Sequence, residues 1–133
     1  GSLQWRDGPR MTLERVNCAA VAIEGRLVVL GGSENCIQFL KSAEELLLLG
    51  EKKEKFVPFS PRMLEKREGL GATVDENTIY AVGGHESKSA EMFSLAERRW
   101  KSLPDMSEKR RHPGVAVWKK RLFVFGGHNY ASE

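Results

Sequence analysis

Cysteine is scarce: Cys18 and Cys36 are the only two in 133 residues. Two thiols can build neither a disulfide framework nor the paired spacing of a zinc site, so they read as free thiols of a cytosolic or nuclear protein. No apolar run approaches the roughly 20 residues a membrane helix needs, and no membrane partner is expected. Catalytic signatures are missing as well. There is no Gly-x-Ser-x-Gly elbow, no His-Glu-x-x-His and no recognisable Cys and His spacing. The charge imbalance is small, +3, which favours acidic partners without calling for nucleic acid. With 41% hydrophobic and 29% charged residues, the chain has enough apolar side chain for one folded domain. The opening Gly1-Ser2 reads as a scar of tag removal, and no charged-then-apolar leader pattern follows it.

What the sequence does have is repetition. Gly-Gly pairs stand at Gly31-Gly32, Gly83-Gly84 and Gly126-Gly127, each closing an apolar run: Leu27 to Leu30, Ile79 to Val82 and Leu122 to Phe125. Met11, Met63 and Met106 each lie 20 residues before a pair, and Arg15, Arg67 and Arg110 each lie 4 residues after a methionine. The separation between copies is 52 and then 43 residues for all three markers. The block from methionine to Gly-Gly is therefore constant, and length varies only outside it.

Inside each block a second apolar segment precedes the first: Ala19 to Ile23, Gly71 to Val74 and Val115 to Trp118. The polar turns Glu24-Gly25-Arg26, Asp75-Glu76-Asn77 and Lys119-Lys120 separate the two. Such pairs predict β-hairpins, strands a and b, buried on both faces. Ser42-Ala43-Glu44 and Ser89-Ala90-Glu91 then open strand c, and Trp100 opens strand d six residues before Met106, as Trp5 does before Met11. Taken alone, Ser42-Ala43-Glu44-Glu45 before four leucines and Gly50 looks like a capped helix. Register against the second copy favours a strand. Four antiparallel strands per unit of about 40 to 50 residues is the arithmetic of a propeller blade.

The Gly-Gly after an apolar strand, Ser89-Ala90-Glu91-Met92-Phe93, Trp100, and Leu103-Pro104 before Met106 and Arg110 together resemble the kelch repeat. The pattern looks most like the kelch domains of adaptor proteins that also carry BTB domains. The fold expected is all-β, a kelch-type propeller fragment of about two and a half four-stranded antiparallel blades. Its parts are a strand d over 5–11, blades over 15–63 and 67–106, and an a-b hairpin over 110–127. Unclosed blade faces are apolar, so self-association of the chain is expected. The resemblance implies protein binding, and in a BTB-bearing parent, delivery of bound proteins to a cullin ubiquitin ligase. A cytoskeletal scaffold, as in actin binding, is the alternative. Copper-oxidase chemistry of some kelch-like propellers needs Tyr and His ligands, for which only Tyr80 and Tyr130 could serve.

Topology puts the d-to-a and b-to-c loops on one side of each blade. That side carries Arg15, Arg67 and Arg110, with Lys66, Lys109, Arg111 and His112 nearby, and Ser33, Asn35, His85, His128 and Asn129. Guanidinium forks suit carboxylates or phosphates, so an acidic or phosphorylated protein segment or peptide is the expected partner, and the resemblance implies docking on this face. A repeated arginine can equally pin one blade to the next through carbonyls and a carboxylate. His85 and His128 occupy equivalent positions, but with no third repeating ligand they do not make a metal site. No cofactor is expected. Structural duty is assigned to Trp5 and Trp100 as core aromatics, and to the Gly-Gly pairs as sites of positive φ.

Overall fold

Apolar runs of four or five residues interrupted by charged turns are too short for helices, and they can bury themselves only by pairing edge to edge. The computed structural model describes residues 1–50 and 54–129 and pairs them that way. It contains β1 (Ala19–Ile23), β2 (Arg26–Leu30), β3 (Ser33–Glu34), β4 (Gln38–Phe39), β5 (Ala43–Leu47), β6 (Phe56–Phe59), β7 (Gly71–Asp75), β8 (Thr78–Val82), β9 (Ala90–Ser94), β10 (Arg99–Leu103), β11 (Gly114–Trp118) and β12 (Arg121–Phe125). Two four-stranded antiparallel sheets form in the orders β1-β2-β5-β6 and β7-β8-β9-β10, beside the hairpins β11-β12 and β3-β4. The fold is all-β: two complete propeller blades and the inner hairpin of a third. The leucine-rich segment is strand β5, paired on both sides, with Leu30 opposite Ala43 and Ala43 opposite Phe59.

The hairpin turns follow from local chemistry. Glu24 and Gly25 take φ of 46° and 69°, and Lys119 and Lys120 take 48° and 60°. Two left-handed central residues match the twist of the flanking strands. In each Gly-Gly pair both glycines have positive φ, from 61° at Gly31 to 121° at Gly84. A side chain on Gly32 would bring its Cβ within 2.6 Å of the Val16 carbonyl oxygen, so the glycine also permits a close backbone approach.

The core lies between blades. Val21, Ile23, Val28, Leu30, Ala43 and Phe59 of the first blade meet Ile79, Ala81, Phe93 and Trp100 of the second. Phe59 and Phe93 pack edge to face at 4.9 Å, Phe93 and Trp100 lie 5.2 Å apart, and the Trp100 indole donates to the Pro61 carbonyl at 3.0 Å. Each large apolar side chain buried here contributes about 1.5–3 kcal/mol.

Two expectations are corrected. Residues 5–11 form no strand, and Trp5 is fully exposed at 103% whereas Trp100 is 5% exposed. Trp100 is covered because β9 pairs with its own strand and the first blade lies across its face. No described strand lies beside Trp5. Burial of the a-b strands on both faces also fails at the outer blades. In β1, Ala20 and Ala22 are exposed, and β11 and β12 alternate throughout, hiding Val115, Val117, Leu122 and Val124 partly while Ala116, Trp118, Phe123 and Phe125 face solvent. Among the described blades, only the second has a neighbour on each side.

Candidate functional site

The constant spacing of the repeat positions one arginine per blade, and the structure shows what each does. Arg15 donates through Nε to Glu44 at 2.9 Å, through Nη1 to the Gly31 and Ser42 carbonyls at 2.9 Å each, and through Nη2 to the Ser42 hydroxyl at 3.0 Å. Arg67 repeats this set on Glu91, Gly83 and Ser89 at 2.8 to 3.0 Å. Each carboxylate also accepts from the preceding chain. Thr12 and Leu13 amides donate to Glu44 at 2.6 and 3.3 Å, and Leu64 and Glu65 amides to Glu91 at 2.7 and 3.3 Å. Arg67 and Glu91 side chains are each 1% exposed. Burial pushes the Glu44 carboxyl up, but the Thr12 amide and hydroxyl and the Arg15 guanidinium together hold it below the usual carboxylate range.

The expectation that Arg15 and Arg67 contact a partner is therefore corrected: they are enclosed ties joining strands b and c to the incoming loop. Their donors are already spent on carbonyls and a buried carboxylate, and freeing one would leave a charge unpaired in low dielectric. Ser33 is corrected too, being fully buried. Arg110 repeats only the bond to its glycine, donating to the Gly126 carbonyl at 2.9 Å, and stays 27% exposed beside Glu108. The strand c that would supply its carboxylate is not among the described residues.

Neighbouring blades are also tied through their loops. The Gly32 amide donates to the Arg67 carbonyl at 2.8 Å and the Gly84 amide to the Arg110 carbonyl at 2.9 Å. Glu68, 3% exposed, receives Asn17 of the first blade and the fork of Arg111 of the third at 2.7 and 3.1 Å. Burial raises the Glu68 carboxyl, but Arg111 and Asn17 bring it below its ordinary range. Neither Glu44 and Glu91 nor Glu68 was singled out from sequence. The first two had a signal, since each stands two residues after the serine of the repeated Ser-Ala-Glu. Glu68 had none, because its position is Val16 in one copy and Arg111 in another.

Exposed groups on this face are others. Asn35 lies at the tip of the β3-β4 hairpin with φ of 53°, and His85 is exposed with its ring edge-on to Phe39 at 5.3 Å. Lys109 pairs with Glu86 at 2.9 Å, His128 bridges to Arg111 on the backbone, and Asn129 is exposed. Lys41, Arg62 and Lys66 are exposed as well. Among the described residues, no three His, Cys, Asp or Glu side chains gather as a metal site.

These features define a class: an arc of β-propeller whose repeats are locked by arginine and whose variable loops share one rim. The kelch motif matches residues 14–50 and 66–107, more than half of the chain, and the chain belongs to the kelch-repeat family. It is 24% identical over 116 residues to the kelch repeat and BTB domain-containing protein 2 of cowpox virus (strain GRI-90), covering 84% of this chain and 20% of that protein. It is 25% identical over 132 residues to human kelch-like protein 38, covering 95% of this chain and 22% of that one. It is 30% identical over 136 residues to kelch domain-containing protein 8B of Rattus norvegicus, covering 92% of this chain and 38% of that one. The chain thus spans about a fifth of the length of the viral relative. Among solved structures, YjhT superposes with a TM-score of 0.75 at 15% identity, over 96% of this chain and 42% of that one, a likeness of fold.

Proposed function

We propose that the chain is a protein-interaction module that binds an acidic protein segment on the face made by its d-to-a and b-to-c loops. The observation that carries this is the division of cations on that face. Arg15 and Arg67 are consumed internally, while Lys41, Arg62 and Lys66 are exposed and make no ion pair among the described residues. Loops on a rigid scaffold are where binding groups concentrate, and exposed cations clustered on one face steer and select an oppositely charged partner. The activity proposed is binding, not catalysis, in the cytoplasm or nucleus. Where the full-length protein also bears a BTB domain, as the name of the cowpox virus relative indicates for itself, it would act as a substrate receptor of a cullin ubiquitin ligase. Co-purification of a cullin with the full-length protein checks that extension.

An oligoglutamate peptide titrated into the chain, followed by fluorescence anisotropy, tests the core of the proposal. Affinity is expected to fall with rising ionic strength, because exposed charges are screened, and to fall about tenfold or more in the Arg62→Glu, Lys66→Glu double variant. Equal binding of oligolysine, or affinity indifferent to salt, would exclude the acidic-segment reading.

A further inference from the structure

The first b-to-c connection is longer than the second: Gly31 to Ser42 spans 11 positions where Gly83 to Ser89 spans 6. The additional residues fold into the β3-β4 hairpin, with Asn35 and Cys36 both left-handed at its tip. The hairpin is tied at its base. Val16 pairs with Ser33, the Leu40 amide donates to the Gly32 carbonyl at 2.9 Å, and the Arg67 amide donates to the Leu40 carbonyl at 3.0 Å. Phe39 leans on His85 of the second blade. The element is thus held across two blades, where it has no counterpart in the second copy.

Its chemistry is unlike that of the neighbouring loops. Ile37 is 84% exposed, and a cleft of about 470 Å³ lies among Asn35, Ile37, Gln38, Phe39 and Lys66. A second cleft adjoins it along Gln38, Phe39 and Lys66 and runs on to Leu13, Lys41 and Arg62. One apolar wall is therefore flanked by three exposed cations. Glu65, the carboxylate next to Lys66, is engaged with Arg67 and the Ser89 hydroxyl. Volumes of this order hold a small ligand or one large side chain.

We propose that this hairpin is the specificity element of the binding face. It takes an acidic peptide segment by seating one large apolar side chain against Ile37 and Phe39, while the peptide's carboxylates face Lys41, Arg62 and Lys66. The inference rests on the acidic-segment reading above and adds an apolar contribution to it: charge alone gives the weaker binding. An apolar anchor ringed by complementary charge is the arrangement by which a few residues dominate an interface. The chemistry favours an acidic and apolar segment over a polyanion, which would leave Ile37 without a partner.

Short synthetic peptides of alternating Glu and Ser, with the central residue set to Phe, Leu or Ala, and matching peptides with Lys in place of Glu, provide the test. The Phe- and Leu-centred acidic peptides are expected to bind about tenfold or more tightly than the Ala-centred one, from burial of one side chain. Ile37→Ser, at an exposed tip, is expected to leave the thermal melt unchanged and to reduce that preference to within about twofold, with Phe39→Ser as a second variant. Acidic peptides that bind alike whatever their centre would overturn the proposal and leave the acidic reading standing. A preference that survives in both variants would overturn it as well, since the apolar residue would then sit elsewhere. Equal binding of the Lys series would remove the charge requirement and with it the proposal. Failure of every acidic peptide to bind would sink both readings together.

Discussion

The second blade and the third hairpin carry the same motif and treat it differently. In the second blade Arg67 is 1% exposed and saturated by Glu91, Gly83 and Ser89, and β8 has a strand on each edge. In the third, Arg110 keeps only its bond to Gly126 besides a distant contact with Glu108, and the outer face of its hairpin shows Trp118, Phe123 and Phe125 at 63%, 39% and 62% exposure. Identical residues at identical spacing thus become a buried tie in one place and a partly solvated side chain in the other. The arginine's duty is therefore conferred by strand c of its own blade, which supplies the carboxylate and the serine. Its own position in the repeat does not settle it.

The sharpest test of that contrast is a pair of substitutions read by chemical denaturation. Arg67→Ala is expected to cost about 3–5 kcal/mol, because it strands Glu91 as an uncompensated buried charge. Arg110→Ala should cost less than about 1 kcal/mol, as for an exposed ion pair. Equal losses at the two positions would break the comparison.

The exposed hairpin face leads to the next effect. Its residues Ala116, Trp118, Phe123 and Phe125 stand at the positions held in the first blade by Val21, Ile23, Val28 and Leu30, which the second blade covers. A second copy of the chain could cover them with the outer face of its first blade, so concentration-dependent self-association is expected. The Trp118→Ser, Phe123→Ser double variant should weaken it about tenfold or more. Light scattering that reports a monomer at every concentration would refute this.

The smallest effect concerns the tie between the two regions. Glu68 bridges Asn17 and Arg111, and its folded carboxyl titrates below its ordinary value. A depressed folded value means the stabilisation is complete above the unfolded carboxylate range, near pH 4.3, and is lost as pH falls through the lower folded value. Thermal melts of the parent chain should therefore drop in acid, and Glu68→Gln should flatten part of that drop. A variant with an undiminished acid response would show that Glu68 is not a contributor.

Legibility followed the range of the interactions. The leucine-rich segment as a strand was readable by aligning Ser42-Ala43-Glu44 with Ser89-Ala90-Glu91, against its local helical look. The same alignment held the arginine's partners in plain view, yet proximity in space of Arg67 and Glu91, 24 residues apart, is created only when β8 and β9 pair. The hairpin cleft was less legible still. Extra loop length was visible, but that it would fold back as β3 and β4 and lean on His85 depends on a neighbouring blade.

By itself the sequence determined the repeat, the antiparallel strands a to d of the two complete blades, the positive φ of the Gly-Gly pairs and the propeller class. These rest on periodicity and on backbone preferences that act within a few residues. Only the tertiary structure decided which arginines are buried, why Trp100 is core while Trp5 is solvated, and which cations stay exposed. Burial and charge compensation are properties of neighbours brought together from distant parts of the chain, and the free energy of a charged group is set by that surrounding.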